Sequence, residues 1–175
     1  MPDTRPRFPR LLVVVAMRAE AGPIAHALGL DGPAELLHPR FPATLTVGRN
    51  GSIGMALVGA DARFEVDSIG TQPAVVTTLH AIERFEPDLV ISAGAAGGFE
   101  SLGGHIGQVI LADRCVYHDR RIAIPGWDDY GVGDYPVADQ GLPLTEMGID
   151  LGTVSTGNAL DAPAEDLAAM ADSGA

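Results

Sequence analysis

The sequence predicts an α/β fold: a mixed central sheet flanked by helices. An apolar, β-branched run feeds straight into an amphipathic stretch (residues 11–28), and an Asn-Gly pair separates two β-rich runs (44–59). A long segment of helical period then runs directly into a second apolar strand (67–94).

Taken in order, residues 1–10 are rich in proline and arginine and read as a loose segment ahead of one domain over 11–175. Leu11 to Met17 is short and β-branched at its centre, which suits a strand buried on both faces. Arg5, Arg7 and Arg10 ahead of it imitate a signal peptide. However, Arg18 and Glu20 follow at once, and the run falls far short of the roughly 20 apolar residues of a membrane span. Glu20 to Leu28 reads as a helix with Pro23 in its first turn and Gly29 just past its end. Asn50-Gly51 can hold the positive φ angles of a tight hairpin. From Asp67 to Phe85, Ile69, Val75, Val76, Leu79, Ile82 and Phe85 recur at helical spacing, with Pro73 early enough to be tolerated. The strand 87–94 follows and opens into a glycine-rich turn. Gln108 to Cys115 and Leu151 to Ser155 read as further strands, 118–144 as a long loop, and Ala164 to Ala171 as a terminal helix.

Composition narrows the function. Eleven Lys plus Arg against 23 Asp plus Glu give a formal charge of −12, so an electrostatic grip on nucleic acid is not expected. The single cysteine, Cys115, cannot form an internal disulfide and reads as a small apolar side chain. No Cys/His cluster has metal-site spacing, so neither a metal nor an organic cofactor is expected. The expectation is a soluble, cytoplasmic protein without membrane attachment.

In α/β sheets, ligands collect beyond the carboxyl ends of the strands. Three segments reach that edge here: "AMRAEA", "SAGAAGGFE" and "STGNALD". Gly94, Ala95, Ala96, Gly97 and Gly98 leave backbone amides uncovered for a ligand, although a plain tight turn would look the same. Glu20 sits where a carboxylate could orient or deprotonate a water, although the helix dipole alone also favours an acid there. His118-Asp119 suggests a triad but lacks a nucleophile turn, so a surface or interface role accounts for it better. Trp127 and Tyr130, aromatics in a glycine-rich loop, suit either a cover for a ligand or partner subunit, or a hydrophobic plug.

The blocks "VVAMRAEA" (14–21), "DSIGTQPA" (67–74), "ISAGAAGGF" (91–99), "HDRRIAIP" (118–125), "YGVG" (130–133) and "STGNALD" (155–161) carry a resemblance when taken in this order. The sequence resembles the methylthioadenosine/S-adenosylhomocysteine nucleosidases of the nucleoside phosphorylase superfamily, most of all their plant-type branch. The resemblance implies a nucleoside phosphorylase-like fold and hydrolysis of a 5′-thio-adenosine to adenine and a thioribose, as in methionine salvage. It implies that Glu20 activates the water and that Met17 lies against the ribose and tail. Ala96 and Gly97 would line the purine site, with Leu160 and Asp161 flanking the base. It further implies a homodimer in which the loop of Trp127 reaches the neighbouring active site. Asn158 departs from the pattern, since many relatives carry aspartate there. The family's ribose-binding glutamate and adenine-protonating aspartate match no position up to Ala175. The expected fold therefore lacks the last strand and helices, and these 175 residues alone are expected to be inactive or nearly so. A phosphorylase of the same superfamily is the enzymatic alternative, kept open by Arg18 and Arg63. A non-catalytic nucleoside-binding homologue is the other.

Overall fold

The structure is a computed structural model and describes residues 8–138, 141 and 143–175. Its contacts group into two units, Met1–Ala96 and Gly97–Ala175.

The first unit is built on β1 (Leu11–Val15), α1 (Arg18–Ala27), β2 (Glu35–His38), β3 (Phe41–Val47), β4 (Ile53–Leu57), α2 (Thr71–Phe85) and β5 (Leu89–Ser92). The sheet runs β2-β3-β4-β1-β5. β1 is parallel to both β4 and β5, whereas β3 is antiparallel to β2 and β4. The period-2 alternation of a strand divides β1 between two apolar clusters. Leu12 and Val14 pack with Leu45, Ala56, Ala81 and Phe85, while Val13 and Val15 pack with Ala21, Leu30 and Met55. α2 therefore supplies the cover on one face and α1 on the other. Gly54 makes room for the Phe85 ring, three of whose atoms lie 3.2 Å from where a Cβ would stand.

The expected hairpin is present: Gly51 takes φ 72°, and Asn50 Oδ1 accepts hydrogen bonds from Ser52 N (3.1 Å) and Ser52 Oγ (2.8 Å). Several boundaries differ from the sequence reading. β1 stops at Val15 and α1 starts at Arg18, with Met17 as the extended residue ahead of the helix. The long helix starts at Thr71 rather than Asp67, because Gly70 at φ 111° breaks the helical path and Asp67 instead bridges to Ala60. β2 has no counterpart among the expected elements, being short and turned through Pro39-Arg40 without an Asn-Gly signal. Residues 1–7 of the expected loose segment lie outside the described residues. Arg10 donates its backbone N–H to Asp88 Oδ2 (2.8 Å) and lays its guanidinium over the Phe85 ring at 4.5 Å.

The second unit contains a 3-10 turn at Glu100–Leu102, β6 (Ile110–Tyr117), α3 (Asp128–Val132), β7 (Tyr135–Pro136), α4 (Leu144–Met147), β8 (Asp150–Thr156) and α5 (Ala164–Ser173). β6 lies between β7, antiparallel, and β8, parallel. The strands thus distribute over two hydrogen-bonded sheets, each with parallel and antiparallel pairs. The segment 118–144, expected as loop, holds α3, β7 and the first residue of α4. α5 is tied to β6 and its extension by Arg114, which donates to the Ser173 carbonyl, and by Arg121, which pairs with Asp166, itself only 1% exposed.

Candidate active site

Parallel pairing of β1 with β5 brings their carboxyl ends together, and Ala93 N extends the ladder to Val14 O at 3.0 Å. The chain leaves β1 through Ala16 and Met17 and turns into α1. Glu20, the third residue of that helix, reaches back so that its Oε2 accepts the N–H of Met17 (3.2 Å). Its Oε1 accepts the N–H of Ala95 (2.7 Å), just past β5. One carboxylate thus joins the two turns at the ligand edge of the sheet, half-buried and bonded through both oxygens. Gly94 permits this approach, since a Cβ there would stand 3.1 Å from Oε1 and 3.3 Å from Oε2.

A residue that the sequence reading did not single out fixes α1 from the other side. Asp67 Oδ2 accepts the N–H of Arg18 (3.1 Å) and its Oδ1 accepts Arg18 Nε (2.6 Å). The Arg18 backbone N–H, and then its guanidinium, hold the Asp67 carboxyl below the usual carboxylate range. The "DSIGTQPA" block is the signal that could have found it.

Met17, Glu20 and Ala96 therefore lie within the first unit, where Met17 and Glu20 meet directly and Ala96 continues the exposed turn. Gly97, Trp127, Leu160 and Asp161 belong to the second unit. Gly97 is exposed, with nothing within 4 Å of a Cβ built on it. Leu160 is 96% exposed and Asp161 is also exposed. The turn that carries them is set by residues for which a surface role was expected. His118 Nδ1 lies 2.9 Å from Ser155 Oγ, and Asp119 Oδ2 accepts the N–H of Asn158 at 2.6 Å. A Cβ at Gly157 would stand 2.8 Å from the Asp119 carboxyl. The His-Asp pair is half-buried and shapes the "STGNALD" turn, with the Ser155 hydroxyl against His118. Trp127 heads α3, 46% exposed and edge-on to Tyr130 with ring centroids 5.4 Å apart.

Cys115 is half-buried on β6, and burial, followed by nearby Asp113, pushes its thiol up and so keeps it protonated. Among the described residues, no group of three or more His, Cys, Asp or Glu is arranged to hold a metal. No described helix is long and apolar enough to cross a membrane.

Known proteins resemble this chain in sequence and in fold. The chain is 38% identical over 159 residues to a 5′-methylthioadenosine nucleosidase of Arabidopsis thaliana, covering 89% of this chain and 60% of that protein. It is 34% identical over 157 residues to a 5′-methylthioadenosine/S-adenosylhomocysteine nucleosidase of the same plant, covering 86% and 61%. The chain thus spans about 60% of the length of these curated relatives. The apo crystal structure of Arabidopsis thaliana 5′-methylthioadenosine nucleosidase superposes with a TM-score of 0.88 at 36% identity, over 97% of this chain and 70% of that one. Futalosine hydrolase of Helicobacter pylori, at 18% identity and a TM-score of 0.70, shares the fold. The sequence profile described as the phosphorylase superfamily matches residues 10–149, and this chain belongs to that superfamily.

Proposed function

We propose that this protein hydrolyses the N-glycosidic bond of 5′-methylthioadenosine-like nucleosides, releasing adenine and a thioribose, with Glu20 as the group that positions and activates the water. The observation that carries this reading is the carboxylate held by Met17 N and Ala95 N at the carboxyl ends of β1 and β5. Cleavage of such a bond develops positive charge on the ribose, so a fixed carboxylate that aligns a water also stabilises the charge it attacks. Each Glu20 oxygen keeps a lone pair beyond its N–H partner, and the two hydrogen bonds remove the rotamer freedom that would blur the water's aim. In this reading Met17 contacts the ribose and the 5′ tail, Ala96 and Gly97 line the purine site, and Leu160 and Asp161 flank the base.

The phosphorylase alternative needs an anion site where Glu20 stands. A carboxylate repels phosphate, and Arg18, one of the two cations that keep this alternative open, is paired with Asp67 at 2.6 Å. Activity assays use a protein in which these residues are joined to the family's ribose-binding glutamate and adenine-protonating aspartate; it is therefore expected to release adenine from 5′-methylthioadenosine at the same rate with and without phosphate, and the 175 residues alone little or none. Release only with phosphate would establish the phosphorylase, and thermal stabilisation by the nucleoside without release would establish a binding protein.

The proposal sets the enzyme in the cytoplasm as a homodimer in which the Trp127 loop reaches the neighbouring site. Val66, Ile69, Val75, Leu79 and Ile82, exposed along and beside α2, offer an apolar surface for that pairing. A monomeric mass by light scattering at micromolar concentration would refute the dimer.

A further inference from the structure

We propose that Arg120 is a positioning residue: its guanidinium fastens the loop carrying Trp127 to the end of β6, and through that loop it sets the affinity for substrate. The second half rests on the nucleosidase reading and on the place given to Trp127 within it.

The loop needs an anchor. α3 is a five-residue helix, too short to be stable by itself, and its last carbonyls have no partner within the helix. Arg120, three residues past the end of β6, supplies that partner. Its Nε donates to the Gly131 carbonyl at 3.0 Å, and its Nη2 donates to the Tyr130 carbonyl. The positive charge thereby meets the negative end of the helix. Nη2 also points at the Tyr135 hydroxyl (3.5 Å), so the same group reaches β7.

The guanidinium is also stacked. It lies 4.0 Å from the Tyr117 ring centroid and 4.8 Å from that of Tyr130, and Tyr117 is in turn edge-on to Tyr135. Tyr130 then passes the contact on to Trp127, whose ring it meets edge-on. Close approach is secured by glycine. Gly131 and Gly133 are buried, and Gly133 takes φ 60°. A Cβ at Gly133 would stand 2.7 Å from the Tyr135 ring and in hard contact with Arg120 Nη2. The blocks "HDRRIAIP" and "YGVG", separate in sequence, are thus two halves of one clasp. Lysine cannot replace arginine in it, because a point charge lacks both the planar face and the fork that serves several acceptors.

Trp127 is the sole tryptophan of the 175 residues, so its emission reports on the loop without reference to activity. Arg120→Lys and Arg120→Ala are expected to shift that emission to the red and raise its quenching by acrylamide, with melting still cooperative. Gly133→Ala should give the same signature from the other side of the contact, without altering the arginine. In the adenine-release assay, loss of charge-assisted hydrogen bonds should raise KM for 5′-methylthioadenosine about 10-fold or more while kcat stays within about threefold. Unchanged emission and quenching in all three variants would overturn the clasp. A changed tryptophan signal with unchanged KM in an active enzyme would overturn the link to substrate affinity. If the unsubstituted protein, joined to the family's ribose-binding glutamate and adenine-protonating aspartate, releases no adenine, the nucleosidase reading fails, and the fluorescence of the 175 residues still decides the clasp.

Discussion

Gly94→Ala separates the geometry of the Glu20 carboxylate from the stability of the fold. An alanine Cβ would stand 3.1 Å from Oε1, 3.3 Å from Cδ and 3.3 Å from Oε2 of Glu20, where contacts of about 3.5 Å or more are comfortable. The carboxylate must therefore withdraw by a few tenths of an ångström, away from the Ala95 N–H that holds it at 2.7 Å. A hydrogen bond to a charged group contributes about 1.5–3 kcal/mol, and weakening it while displacing the base should lower kcat/KM roughly 10- to 100-fold. Stability should change less than activity. Gly94 does not take a positive φ, so alanine restricts the unfolded chain by about 0.4–1 kcal/mol, which offsets part of the weakened hydrogen bond. Adenine release at several substrate concentrations, beside a thermal melt of the same sample, reads both effects. A variant with unaltered kcat/KM would refute the reasoning, because the carboxylate would then not depend on its contact with residues 94–95.

Two further outcomes concern the frame around the site. Thr77 is fully buried on α2 and its Oγ1 has no hydrogen-bond partner among the described residues, so Thr77→Val should raise the urea midpoint by an amount equivalent to about 1 kcal/mol; a lower midpoint would show that the hydroxyl is paired. The Asp67 carboxyl, lowered by Arg18, stabilises the folded state while it is ionised, and that contribution disappears as pH falls through its folded-state value. Asp67→Asn should therefore melt below the unsubstituted protein at pH 7 and converge with it well below about pH 4, the range of an unperturbed aspartate. A gap that persists undiminished in acid would refute the charge-based account. Because the Arg18 side chain is exposed, the pair should also weaken in high salt.

The sequence makes some of this legible and hides the rest for physical reasons. The β1–α1 opening, the Asn50-Gly51 hairpin and the edge position of Glu20 follow from local pattern, because period, turn chemistry and burial are written in adjacent residues. The partners of Glu20 and Asp67 are not. Ala95 meets Glu20 across 75 positions through a backbone N–H, a group that every residue except proline carries, so only the small residues around it hint at the approach. Arg18 and Asp67 are 49 positions apart, and each would read equally well as a solvated charge. α3 is too short for periodicity to reveal, and it is held by Arg120, whose role depends on rings and carbonyls drawn from β6, the loop and β7. β2 pairs with β3 through a turn without glycine, which explains why it escapes a search for hairpin dipeptides.

The central claim, that the Glu20 carboxylate activates the water, is tested most directly by adenine release from Glu20→Gln. Glutamine keeps a carbonyl acceptor for one of the two N–H partners but can take up no proton from water. In this variant kcat is expected to fall about 100-fold or more, with 5′-methylthioadenosine still bound and the melting temperature close to that of the unsubstituted protein. A Glu20→Gln enzyme that turns over within about threefold of the original would contradict the claim.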